Sequence, residues 1–157
     1  MRVLVTGGGG YLGSWLAYKL LDRGHFVRIF DRFCFGRDTV RDLESNANCE
    51  VIDGDVRRLQ ESPDILEGID AVAHLASLSN DPSCDLDVEM ATDVNVESTL
   101  ELARQAVQRG VRRFVLASSC SVYGRGVFEL LDEESPANPV STFGRSKLAA
   151  EQGVLQM

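Results

Sequence analysis

Residues 6–13 read TGGGGYLG, a run whose bare backbone can come close to a phosphate group. A short apolar stretch, Met1–Val5, precedes it and reads as a buried strand, and a helical pattern from Ser14 to Leu21 follows. Strand, glycine turn and helix in that order are the setting of a dinucleotide site. Gly7 is expected to permit a sharp turn, Gly10 to let backbone meet a pyrophosphate, and Gly13 to let the helix pack closely on its strand. The phosphates would then face free N–H groups at the helix start, those of Tyr11 and Leu12, and the positive end of the helix dipole.

Further down the chain, each apolar run ends in residues that could complete such a site. The second run closes on Asp31-Arg32, about 18 residues past the last glycine of the turn. A carboxylate there accepts from adenosine ribose hydroxyls and repels a 2′-phosphate, so Asp31 favours NAD over NADP. Arg32 points the other way, because a neighbouring guanidinium is what a 2′-phosphate site recruits. The third run ends Asp53-Gly54-Asp55-Val56-Arg57. Asp55 could accept from an adenine amino group while the backbone of Val56 fixes the other ring edge. In the fourth, Leu75, Ala76 and Ser77 follow His74, and small residues there let a cofactor lie against the backbone. A lone histidine at a strand end reads as a hydrogen-bonded structural residue rather than an acid–base catalyst.

The elements that must position these residues follow from patterning. Apolar runs at Val3–Val5, Phe26–Phe30, Glu50–Ile52, Ala71–Leu75 and Phe114–Ala117 read as five strands. Stretches of helical period lie between them, most clearly Asp87–Arg109, where Met90, Val94, Thr99, Leu102, Ala103 and Ala106 could form one inward stripe. This alternation predicts an α/β, Rossmann-type doubly wound parallel sheet, with a sixth helix starting near Val140. The chain has 157 residues and a net charge of −8, which argues against a nucleic-acid partner. No stretch approaches the roughly 20 apolar residues of a membrane span. A chain that opens on its first strand is expected to carry no signal or transit peptide, and four cysteines without CxxC spacing indicate neither zinc nor a disulfide framework. A cytoplasmic protein with reduced thiols is the expectation.

Taken together, these segments resemble the extended short-chain dehydrogenase/reductase family, in its NAD-dependent nucleotide-sugar epimerase/dehydratase branch. TGGGGYLG matches that family's TGxxGxxG, and Asp53–Arg57 looks like its DxDxR. His74–Ala76 resembles its HLA strand end, and Val94-Asn95-Val96 the asparagine of its central helix. Ala117–Gly124 is similar to its SSxxVYG. The resemblance implies bound NAD, a nucleotide-sugar substrate, and a homodimer formed through the two long helices at Asp87–Arg109 and Val140–Glu151. It also implies that residues 1–157 are the NAD-binding domain of a longer protein, with the C-terminal substrate domain absent. Asn95 and Lys147 join the cofactor-binding set by the same resemblance, and Ser119 and Lys147 take the family's catalytic serine and lysine positions.

In that family a tyrosine one helical turn before the lysine takes a proton from a sugar hydroxyl as hydride leaves for NAD. Here YxxxK reads Phe143-Gly144-Arg145-Ser146-Lys147, with its surroundings intact. Phenylalanine keeps the ring and deletes the titratable group, and neither Thr142 nor Tyr123 is an evident stand-in. The resemblance therefore implies an enzyme, impaired or inactive as this chain. Three accounts of Phe143 remain open: a substitution made to trap a complex, a natural variant with another acid–base group, or a protein that binds NAD without turnover. Position 121 is serine where dehydratases of the branch commonly carry an acid. That favours an epimerase-like protein over a dehydratase or reductase, with a regulatory or scaffolding NAD(P)-binding protein as the alternative.

Overall fold

The computed structural model describes residues 1–125 and 130–157. Its parallel sheet is built from β1 (Arg2–Thr6), β2 (Phe26–Asp31), β3 (Cys49–Asp53), β4 (Ala71–His74) and β5 (Arg113–Leu116), in the order β3-β2-β1-β4-β5. This is the Rossmann-like α/β sheet expected from the sequence. β1 is central because Val3, Leu4 and Val5 are apolar without alternation, as a strand covered on both faces must be. The helix α1 (Tyr11–Asp22) buries Ala17 among Val3, Val5, Val27, Ile29 and Ala71, with Leu16, Leu20 and Leu21 packed alongside.

The chain divides into two compact units. The first, Met1–Ala76 with Glu101–Ala117, contains the whole sheet and α1. The second, Ser77–Leu100 with Ser118–Met157, contains α2 (Asp81–Leu86), α3 (Val88–Thr92) and α5 (Thr142–Val154). The helix α4 (Ser98–Gln108) begins in the second unit and ends in the first.

Strand ends fall within one residue of expectation; β4 stops at His74 and β5 runs Arg113–Leu116. The connections depart further. Neither β2–β3 nor β3–β4 holds an α-helix: a 3-10 turn at Arg41–Leu43 and a kinked 3-10 segment at Val56–Glu61 take their place. Arg28 supplies the reason for the second. Its buried guanidinium donates to the carbonyls of Asp64, Ile65 and Glu67 at 2.8–3.2 Å and to Glu50 at 2.7 Å, satisfying acceptors that helical backbone would satisfy itself.

The stretch expected as one helix over Asp87–Arg109 is α3, a π turn at Asp93–Glu97 and α4. Val94, Thr99, Leu102, Ala103 and Ala106 are buried as expected, but Met90 is 37% exposed and Ala91 faces inward instead. The extra residue accommodated by the wider π turn rotates the upstream face. α5 starts at Thr142, where the Ser141 hydroxyl accepts from the Gly144 N–H at 3.0 Å. It is the fifth α-helix among the described residues, not the sixth. No helix among them is long and apolar enough to cross a membrane.

Candidate functional site

In the first unit the glycine turn has the shape a pyrophosphate needs. Gly7 has φ +69°, and a Cβ on it would come within 2.6 Å of the Ala76 amide nitrogen and 2.8 Å of the Leu75 carbonyl carbon. Gly13 faces the Gly7 carbonyl and Gly8 Cα so closely that any side chain would overlap them. Gly10 differs: it is exposed, and the nearest neighbour of a Cβ there is Gly7 O at 3.3 Å. The protein itself scarcely fills that position. Gly10 is the N-cap of α1, which has no capping side chain and no acid in its first turn, although the chain carries eight excess negative charges. Tyr11 and Leu12 expose their side chains, so what they offer inward is backbone N–H. An uncapped, acid-free helix start behind bare backbone fits a dinucleotide phosphate.

Two further glycines, which the motif does not demand, are explained by packing. A Cβ on Gly8 would meet Ile29 at 2.6 Å, and one on Gly9 would meet the Phe33 ring at 2.8 Å. The β2–β3 loop grips Gly9 at both backbone groups: its N–H donates to Asp31 Oδ2 at 3.0 Å, and its carbonyl accepts from the Thr39 hydroxyl at 2.8 Å. Phe33 and Thr39 were not legible as site residues. A ring two positions after an expected ribose-binding aspartate, beside a run of four glycines, is the one signal that could have found Phe33.

Asp31 thus stands beside the turn as expected, and it also holds the turn in shape. Asp55 is less free than the sequence suggests. Its carboxylate is engaged by Arg57 at 2.6–3.1 Å and by Arg32 at 3.4 Å, and the Arg57 hydrogen bonds hold its pKa below the usual carboxylate value. The side chain of Val56 is buried. His74 is 1% exposed with Nδ1 2.6 Å from the Thr6 hydroxyl, the structural arrangement expected of it.

In the second unit, Asn95 is the centre of a hydrogen-bond network. It lies in the π turn, 1% exposed. Its Oδ1 accepts from the Ser77 hydroxyl at 2.9 Å and the Leu78 N–H at 2.8 Å. Its Nδ2 donates to the Leu78 carbonyl at 3.1 Å and to Ser146 Oγ at 3.0 Å, while Ser146 donates to the Phe143 carbonyl at 2.8 Å. Both ends of the Asn95 amide are therefore committed to protein, so its visible role is to tie Ser77 and α5 together.

Phe143 packs with Cys84, Ala91 and Leu78 and is 9% exposed. One turn on, Lys147 is 4% exposed and makes no hydrogen bond or ion pair among the described residues. Burial holds its pKa below the ordinary lysine value, partly offset by Glu151 and Cys84. Ser119 caps the 3-10 turn Cys120–Tyr123, its Oγ accepting from the Ser121 N–H at 3.2 Å. Its own proton is left to donate. That turn and α5 touch: a Cβ on Gly144 would lie 2.5 Å from the Ser121 carbonyl oxygen. Ser119, Phe143 and Lys147 are thus carried by two elements in direct contact. All four cysteines are free thiols, and no group of three metal-ligating side chains occurs among the described residues.

Comparison with known proteins decides the family. The model of the NAD dependent epimerase/dehydratase family matches residues 3–157. The chain belongs to the NAD dependent epimerase/dehydratase family. One relative in it is the UDP-glucose 4-epimerase of Corynebacterium glutamicum, 33% identical over 156 residues, 98% of this chain and 46% of the relative. Among solved structures, MoeE5 in complex with UDP-glucose and NAD aligns with TM-score 0.84 at 35% identity, over 99% of this chain and 48% of that one. The dTDP-glucose 4,6-dehydratase DesIV from Streptomyces venezuelae, with NAD and TYD bound, aligns with TM-score 0.90 at 29% identity, over 98% and 50%. The chain thus spans about half the length of these proteins.

Proposed function

We propose that this chain is the NAD-binding domain of a longer nucleotide-sugar epimerase-like protein, with proton transfer disabled at position 143. The observation that carries the reading is Lys147. A nearly buried lysine whose ammonium makes no hydrogen bond or ion pair among the described residues costs stability, and such a group persists where a ligand completes its surroundings. NAD, when bound, accepts a hydride from a sugar carbon and returns it. The residues of the chain divide the remaining work. Gly7, Gly10 and the amides of Tyr11 and Leu12 take the pyrophosphate, Asp31 the adenosine ribose, and Asp55 and Val56 the adenine edge. Leu75, Ala76, Ser77 and Lys147 take the nicotinamide end, with Asn95 positioning Ser77. Ser119 donates its free proton to orient a sugar hydroxyl. Phe143 fills the ring position and passes no proton.

The absence of an acidic residue at Cys120 and Ser121 supports epimerase over dehydratase chemistry. The packing of Phe143 as an ordinary core residue favours a second reading, a regulatory or scaffolding protein that holds NAD without turnover. Homodimerisation through the helices around α4 and α5, and a cytoplasmic location, belong to the same proposal.

Trp15, the sole tryptophan, lies one turn from the glycine turn, and its energy transfer to NADH is the readout for binding. The chain is expected to bind NADH, and the full-length Phe143→Tyr protein to interconvert a UDP- or dTDP-hexose and its 4-epimer. Binding of NADH with no conversion by the Tyr variant would transfer the case to the regulatory reading. No binding at all would overturn both.

A further inference from the structure

The C-terminal ends of β2 and β3 crowd three arginines around a site that must refuse a phosphate. Asp31 and Asp53 are register partners. Asp31 is pinned, accepting from the Gly9 N–H through Oδ2 at 3.0 Å and from the Phe33 N–H through Oδ1 at 2.7 Å. The second bond closes a tight turn that leaves Phe33 at φ +50°, an unusual conformation for an aromatic residue. Phe33 lies against Gly9, and the Arg37 guanidinium stacks 4.5 Å over its ring. Two half-exposed guanidiniums, Arg32 and Arg37, therefore flank the carboxylate expected to hold the adenosine ribose. A guanidinium there is what recognises a 2′-phosphate.

Neither is idle. Arg37 donates to Asp53 Oδ2 at 2.8 Å and reaches Glu44 at 3.5 Å. Arg32 Nε lies 3.4 Å from Asp55 Oδ2, and Asp55 is fixed in place by Arg57. We propose that Asp53 and Asp55 are specificity-determining residues that keep this site selective for NAD over NADP, by holding Arg37 and Arg32 out of a 2′-phosphate contact. Asp31 repels the phosphate, and the two further aspartates keep the neighbouring cations from offsetting that repulsion. The inference rests on the NAD-binding reading above.

The test is the ratio of dissociation constants for NADPH and NADH, read by Trp15 energy transfer on the whole chain. In Asp53→Asn/Asp55→Asn the side chains keep their shape and an acceptor oxygen, while the charges that hold the arginines are gone. The ratio is expected to move about tenfold toward NADPH, the scale of one charge-assisted hydrogen bond. Adding Arg32→Ala and Arg37→Ala to that variant is expected to cancel the gain. A ratio unchanged within about twofold, with NADH still bound, would overturn the proposal and leave the cofactor reading standing. Should Asp55→Asn impair folding, Arg32→Ala/Arg37→Ala alone decides, because both side chains are surface-accessible. Restrained arginines predict an unchanged ratio, whereas a selective loss of NADPH would show that they already read the phosphate and would overturn the idea. Wild-type chain that binds neither nucleotide brings down the cofactor reading, and this proposal with it.

Discussion

Lys147 shows what burying a single charged side chain does to stability. Its pKa is depressed by burial, so the unfolded chain binds more protons than the folded one between the lowered value and 10.5. Stability must therefore rise with pH through that window. Lys147→Met is expected to raise the melting temperature at pH 7 by a few degrees, about 1 kcal/mol, and to flatten the rise toward pH 10. Calorimetry at the two pH values checks this, and a lower melting temperature at pH 7 would mean that the ammonium is stabilised in a way the fold does not reveal. The residue was legible as a family position because lysine, serine and the ring at 143 keep their spacing. Its isolation was not legible, because burial depends on what packs over α5. Asn95 adds a contact the resemblance did not foretell: the fold bonds its amide to Ser77, Leu78 and Ser146.

Glycine positions that look alike in the motif part company at the scale of the turn and α1. Gly13→Ala would drive a methyl into the backbone of Gly7 and Gly8, which cannot yield as a side-chain tip can. It is expected to destabilise the chain by about 3 kcal/mol and to abolish NADH binding. Gly10→Ala meets only Gly7 O at 3.3 Å. It is expected to leave the melting temperature within about 3 °C of wild type while weakening NADH at least about tenfold, because the methyl stands where a pyrophosphate must approach. Equal loss of stability in the two variants would show that Gly10 serves packing rather than a ligand. Elements with strong periodicity were legible: the five strands, α1 and the stretch that became α3 and α4. The 3-10 connections and the π turn were not, since they depend on partners far along the chain, such as Arg28 for the β3–β4 link.

For the whole molecule, β5 pairs with β4 alone among the described residues and so forms a sheet edge, with Val115 62% exposed. An exposed β-branched edge residue invites intermolecular pairing. Val115→Lys is expected to lower concentration-dependent aggregation of the 157-residue chain, measured by light scattering, with little change in melting temperature. Unchanged scattering would place the association surface elsewhere. The sequence alone determined the sheet and the glycine turn, because strand burial, turn glycines and helix starts are fixed by neighbours within a few positions. It also determined the family and the phenylalanine at 143, because these are matters of residue identity. Only the tertiary structure decided that Gly9 is clasped by the β2–β3 loop, that Lys147 lies buried without a hydrogen-bond or ion-pair partner among the described residues, and that Arg32 and Arg37 are held by Asp55 and Asp53. Those facts are set by contacts between strands and loops brought together in space, and charge and burial depend on distance rather than on order along the chain.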